Sequence, residues 1–252
     1  SENQLEMFET KHTIIRLNND KGIEAMNKVY ISTASAVEEI DLKARTITST
    51  GKIINLNKSA IKKVDNYEDA GPFTIFAMEG IDVGSEIEYI YTNKRNFRLN
   101  NSVFLQTDKI KKNVSIDIYS PENLVYIAKG YNGFPEFTVD TIIKKKNHIY
   151  ASIDRIEALN DEKYSATKAN KMRYDYQIAY NTAKSNARIY NWEQIGNNVY
   201  ANLFTPTKQE TKAVNKLISK LGLEKLSSDE AKIRALEQFA KTSIVFKEID
   251  EY

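Results

Sequence analysis

The feature that most constrains this chain is a change of hydrophobic period near residue 189. Before that point, apolar side chains recur at every second residue. In "MRYDYQIAY", Met172, Tyr174, Tyr176, Ile178 and Tyr180 fall on one face, with Arg173, Asp175 and Gln177 on the other. Successive side chains of a strand point to opposite faces, so this alternation is that of a half-buried strand. "EIEYIYT" sets Ile87, Tyr89 and Tyr91 against Glu86, Glu88 and Thr92, with Ile90 breaking the pattern, and "VSIDIYS" groups Val114, Ile116 and Ile118. Turn signals separate the runs at Ser49-Thr50-Gly51-Lys52, Asp69-Ala70-Gly71-Pro72, Val83-Gly84-Ser85 and Lys146-Asn147-His148. Strands apolar on one face and joined by short turns predict a mainly β, antiparallel, sandwich-like body over residues 1–188. That is longer than a seven-strand sandwich, so two packed β subdomains with a seam near residues 93–113 are the alternative. Within this body only residues 34–39 invite a helix.

Beyond residue 189 the period becomes 3.6, which predicts a helical segment over 189–252. "YNWEQIGNNVYANLF" places Trp192, Ile195, Val199 and Leu203 on one stripe. Thr207 and Glu210 have the spacing of a capping box. Val214, Leu217, Ile218 and Leu221 form the next apolar stripe, and Gly222 stands where a C-cap is wanted. Ser227 and Glu230 suggest a further capping box, ahead of Ile233, Leu236 and Phe239 or Ala240. "SIVF" at 243–246 then reads as a short buried strand.

Composition narrows the function classes. Lys and Arg total 36 against 34 Asp and Glu, a net charge of +2. Binding a polyanion needs a concentrated basic surface, so nucleic acid is not an expected partner. Lys144 to Lys146 and the Lys111-Lys112 pair read as solvated hairpin tips and edge protection. Cysteine is absent, which removes disulfides, thiolate nucleophiles and cysteine metal sites. No apolar stretch approaches the roughly 20 residues of a membrane helix. A start at Ser1 rather than Met suggests removal of a signal peptide or other leader.

Few residues offer chemistry. His12 and His148, the latter placed at a hairpin tip, have no serine or carboxylate beside them in triad order. Asp65, Asn66, Glu68 and Asp69 in "KVDNYEDAG" form an oxygen-rich loop without the ligand spacing of a calcium site. Glu86 and Glu88 share a strand face, which invites comparison with paired catalytic carboxylates. Alternation puts that face toward solvent, where their pKa values would stay ordinary. No metal or cofactor is expected, and the chain by itself reads as non-catalytic. "YIAKGYNGFPEF" gathers Tyr126, Tyr131, Phe134 and Phe137 around two glycines and a proline. Such a cluster either stacks on sugar or grips peptide from a rigid loop, or it plugs the end of a sandwich.

Several stretches together resemble a family. "FAMEGIDVGSEIEYIYT" is similar to the most recognisable part of an uncharacterised N-terminal β domain that precedes transglutaminase-like cores in Bacteroidetes-type exported proteins. "TSTGKIINL" upstream resembles that domain's Gly-Lys hairpin. "SPENLVYIAKG", "RIEALNDEKYSATKANKMRYDYQIAY" and "NWEQIG" follow in the family's order. "EAKIRALEQFAKTSIVFKEI" resembles the helix and strand that lead into the transglutaminase-like core, whose Cys-His-Asp set would lie beyond Tyr252. The resemblance implies a non-catalytic module, exported to the periplasm or cell surface, that positions substrate or binds protein for a transglutaminase- or protease-like core in cis or in trans. A stand-alone carbohydrate- or peptide-binding sandwich, seated on the Tyr131–Phe134 loop, is the competing expectation.

Overall fold

The computed structural model describes residues 5–140 and 145–245, and the fold is mainly β with helices toward the C-terminal end. The chain divides into two compact units. One comprises Ser1–Asp117, Ile127–Thr138 and Ile149–Gln177; the other comprises Ile118–Tyr126, Val139–His148 and Ile178–Tyr252.

The first unit is organised by the strand Glu86–Asn96. It pairs antiparallel with Glu6–Arg16 on one side and with Ala36–Ile47 on the other, and Ile53–Asn55 extends the sheet. A second sheet, in the order Lys28–Ser32, Phe73–Ala77, Lys62–Val64, is likewise antiparallel. Their apolar faces supply one core: Leu42, Ala44 and Ile87 from the first sheet, Val29, Ile31 and Phe76 from the second, joined by Leu17 and Met78. This is the sandwich-like burial that the alternation anticipates, since each strand gives every second residue to the interior. Asn100–Phe104 pairs antiparallel with the start of Arg173–Asn181, matching Val103 to Tyr174 and Asn101 to Tyr176. The strands Lys111–Pro121, Leu124–Tyr131 and Lys146–Ile156 run from one unit into the other.

The helical reading of 34–39 is overturned. Ala36 opens the strand Ala36–Ile47, and its pairing with Glu86–Asn96 slips between Ala36 and Glu38 and again between Glu39 and Asp41. These bulges interrupt strict alternation and leave Val37 and Ile40 exposed, three residues apart as on a helix. The short helix of this region is instead Asp20–Met26, where the Asn19 side chain accepts from the Gly22 N–H. Lys146-Asn147-His148 is not a turn either. Lys145 takes the left-handed conformation, and the strand Lys146–Ile156 begins directly after it. Lys111 is half-buried and donates to the Leu105 carbonyl, and burial lowers its pKa; Lys112 is exposed as anticipated. Lys144 lies outside the described residues.

In the second unit the helices are Trp192–Phe204, Lys208–Leu221 and Asp229–Ser243. The Thr207–Glu210 capping box forms in both directions, and Gly222 closes its helix in the left-handed conformation. The last helix is capped by Ser228 rather than Ser227, one residue later, because the Ser228 hydroxyl reaches the Ala231 N–H. Glu230 pairs with Arg234 one turn on instead of closing a box. "SIVF" forms no buried strand within the described residues: Ser243 ends the helix and Ile244 and Val245 are exposed. Phe246 lies outside them.

Candidate functional site

The aromatic loop is built by the turn after the strand Leu124–Tyr131. Asn132 and Gly133 both take positive φ, folding the chain back so that Phe134 is only 5% exposed. Its ring lies 6.0 Å from Phe137 and 5.9 Å from Tyr174, and Phe137 lies 5.5 Å from Tyr174. Phe134 is therefore a wedge closing the first unit, not a ring presented to a ligand. Tyr131 is half-buried, with the Arg173 guanidinium 4.4 Å and the Lys129 amine 5.5 Å from its ring centre. Tyr126 is half-buried and falls in the second unit. Of the four aromatics named from sequence, Phe134 and Phe137 are thus brought into ring contact, and Tyr174 joins them.

The carboxylates are corrected as well. Glu88 is 17% exposed, because Ile14 and Arg45 flank it in register from the neighbouring strands. It accepts from Arg45 Nε and from His12 Nε2, the latter at 2.9 Å. The Arg45 and His12 hydrogen bonds hold its carboxyl below the usual range. A general acid needs the opposite shift, so Glu88 lacks a general acid's surroundings. Because the folded-state pKa is depressed, the stabilisation is complete above the unfolded glutamate value of about 4.3 and is lost as pH falls through the folded value. Arg45 is partly exposed, so Glu88→Gln should cost only about 1 kcal/mol. Urea titrations at pH 6 and pH 3 should show a smaller pH-dependent loss in this variant than in the parent; equal losses would remove Glu88 from the account.

His148 is not at a hairpin tip. It is buried, its Nδ1 lies 3.1 Å from Asp140 Oδ2, and Tyr119 stacks on it at 4.2 Å and 7°. The pair resembles the orienting half of a catalytic triad, but the chain holds no cysteine for it to activate. In the 65–69 loop, the Asn66 amide donates to Asp69 while its oxygen takes the Gly71 N–H. Among the described residues no three acidic or histidine side chains converge as a metal site would require.

The most open apolar surface is helical. Trp192–Phe204 has no buried residue: Trp192 is 88% and Leu203 71% exposed, and Val199, Tyr200 and Phe204 are exposed with them. Tyr200 and Phe204 stack at 4.7 Å. The following helix half-buries Leu217, Ile218 and Leu221 while Val214 stays out, so it packs where its neighbour does not.

A family model for a domain of unknown function with a solved structure matches residues 6–152. The chain belongs to the DUF3857 family. The DUF3857 match contains the whole Glu6–Arg16 to Lys111–Pro121 framework and ends before the exposed helix. No curated protein matches this DUF3857 chain. Among solved structures, it is similar to a protein from Parabacteroides distasonis ATCC 8503 described as a "putative protease", with 12% identity and a TM-score of 0.62. The similarity covers 95% of this chain and 47% of that one, so the chain spans about half the length of that structure. At this identity the likeness establishes a shared fold.

Proposed function

We propose that this DUF3857 chain is a non-catalytic accessory module, exported to the periplasm or cell surface, that positions substrate or binds protein for a protease- or transglutaminase-like core. The observation that carries the reading is the apolar stripe Trp192, Val199, Leu203 and Phe204, left uncovered in an otherwise well-capped helix. A helix gains most of its stability by burying such a stripe against a neighbour. Contiguous exposed apolar surface of this kind marks an interaction site. The occupant we assign is the core in cis, since a structure that shares this fold is about twice as long as this chain.

Trp192 is the only tryptophan, so it reports on the stripe directly. Its emission in this chain is expected to be that of a water-exposed indole. In a protein extended along its own gene through a Cys-His-Asp core, it should shift to the blue. Leu203→Asp should weaken association of separately produced module and core at least tenfold, as expected where an apolar anchor is lost. A reading frame without such a core, or an unshifted Trp192 in the longer protein, would defeat the proposal.

A further inference from the structure

A cleft in the first unit has the makings of a binding site. It encloses about 270 Å3 and is lined by Met7, Glu9, Ser35, Arg95 and Arg98, and by the strand residues from Asn101 to Phe104. Pairing register brings Met7 opposite Arg95 and Glu9 opposite Asn93. Glu9 forms an ion pair with Arg95, whose guanidinium also donates to the Ser35 hydroxyl. The Arg95 charge is therefore paired. Arg98, three residues on, is exposed and has no ion-pair partner among the described residues, leaving one positive charge at the cleft.

A further observation points to what the cleft takes. The strand Asn100–Phe104 pairs with Arg173–Gln177 along one edge, and among the described residues no strand covers its other edge. An uncovered edge presents alternate backbone N–H and C=O groups ready to pair with another extended chain. Glu9 also bears on buried tyrosines nearby. Burial pushes Tyr91 up to about 12 and also raises Tyr174 and Tyr176, with the Glu9 charge adding to each.

We propose that this cleft binds an extended peptide as an added strand along Asn100–Phe104, with a carboxylate of the peptide held by Arg98. A guanidinium recognises a carboxylate through paired N–H donors, while the strand edge recognises backbone of any sequence. Together they select acidic segments in extended conformation. This inference goes beyond the module reading and does not depend on the helical stripe, since it concerns only residues within the first unit.

The test is an amide NMR titration of the chain with the blocked peptide acetyl-Thr-Val-Glu-Val-Thr-amide. Three probes run beside it: the Gln analogue, a backbone N-methylated analogue, and glutarate. Shifts are expected at Asn100–Phe104 and Arg98, with N-methylation abolishing them. The Gln analogue, and Arg98→Gln in the protein, should each weaken binding about tenfold. Arg98 is exposed, so this variant keeps the fold, which its spectrum verifies. Shifts confined to other regions, or unchanged affinity in Arg98→Gln, overturn the proposal. Glutarate binding as tightly as the peptide overturns it as well, because the strand edge would then contribute nothing. None of these outcomes bears on Trp192.

Discussion

Phe76→Ala is expected to cost about 3–5 kcal/mol of folding stability, the range for removing a buried phenylalanine ring. Phe76 is 1% exposed in the middle strand of its sheet, and its ring meets Tyr89 edge-on at 6.4 Å. It stands where two sheets share a core with Leu17, Ile31 and Ile87, so the cavity would be walled by two β layers that cannot both close on it. The whole penalty for lost transfer and unfilled volume should therefore appear. Urea unfolding followed by far-UV circular dichroism measures it; Trp192 fluorescence would not serve, as that residue belongs to the helical segment. A loss below about 1 kcal/mol would mean that the two sheets do not depend on a common interior.

The architecture was legible where one periodicity runs undisturbed. Val114, Ile116 and Ile118 turn inward as read, and the helices after residue 189 have the stripes and most of the caps that their spacing announces. What sequence reasoning missed came from two sources. Local irregularity was one: bulges around Val37 and Ile40 imitate a helix, while Asp20–Met26 is too short to show a stripe. Long-range pairing was the other. Alternation assigns Glu88 to the outer face correctly, but not the Arg45 and His12 side chains that cover it from strands 43 and 76 residues distant. The cleft is the extreme case, since Met7 and Glu9 meet Arg95 only after register is set. No spacing in the sequence signals Glu9 and Arg95 as partners.

The aromatic loop yields the second large effect. Gly130→Ala is expected to destabilise the chain by about 2–3 kcal/mol, the upper part of the range for overpacking a close contact. A methyl group on residue 130 would lie 2.2 Å from the Phe134 carbonyl oxygen and 2.5 Å from that of Pro135. Both are backbone atoms, so no side-chain rotation relieves the clash, and the segment after Asn132 must lift away. Phe134 would then be drawn out of its contacts with Phe137 and Tyr174, exposing apolar surface that a dye such as ANS should detect. Gly196→Ala supplies the control of opposite sign. That glycine sits inside the exposed helix with nothing within 4 Å, so alanine should stabilise the helix by up to about 1 kcal/mol. If both alanine variants unfold alike, the loop does not close over Gly130, and Phe134 regains its claim as an accessible recognition residue. If they diverge as expected, the ring's role is to seal the β unit, and a search for ligands belongs at the Arg98 cleft instead.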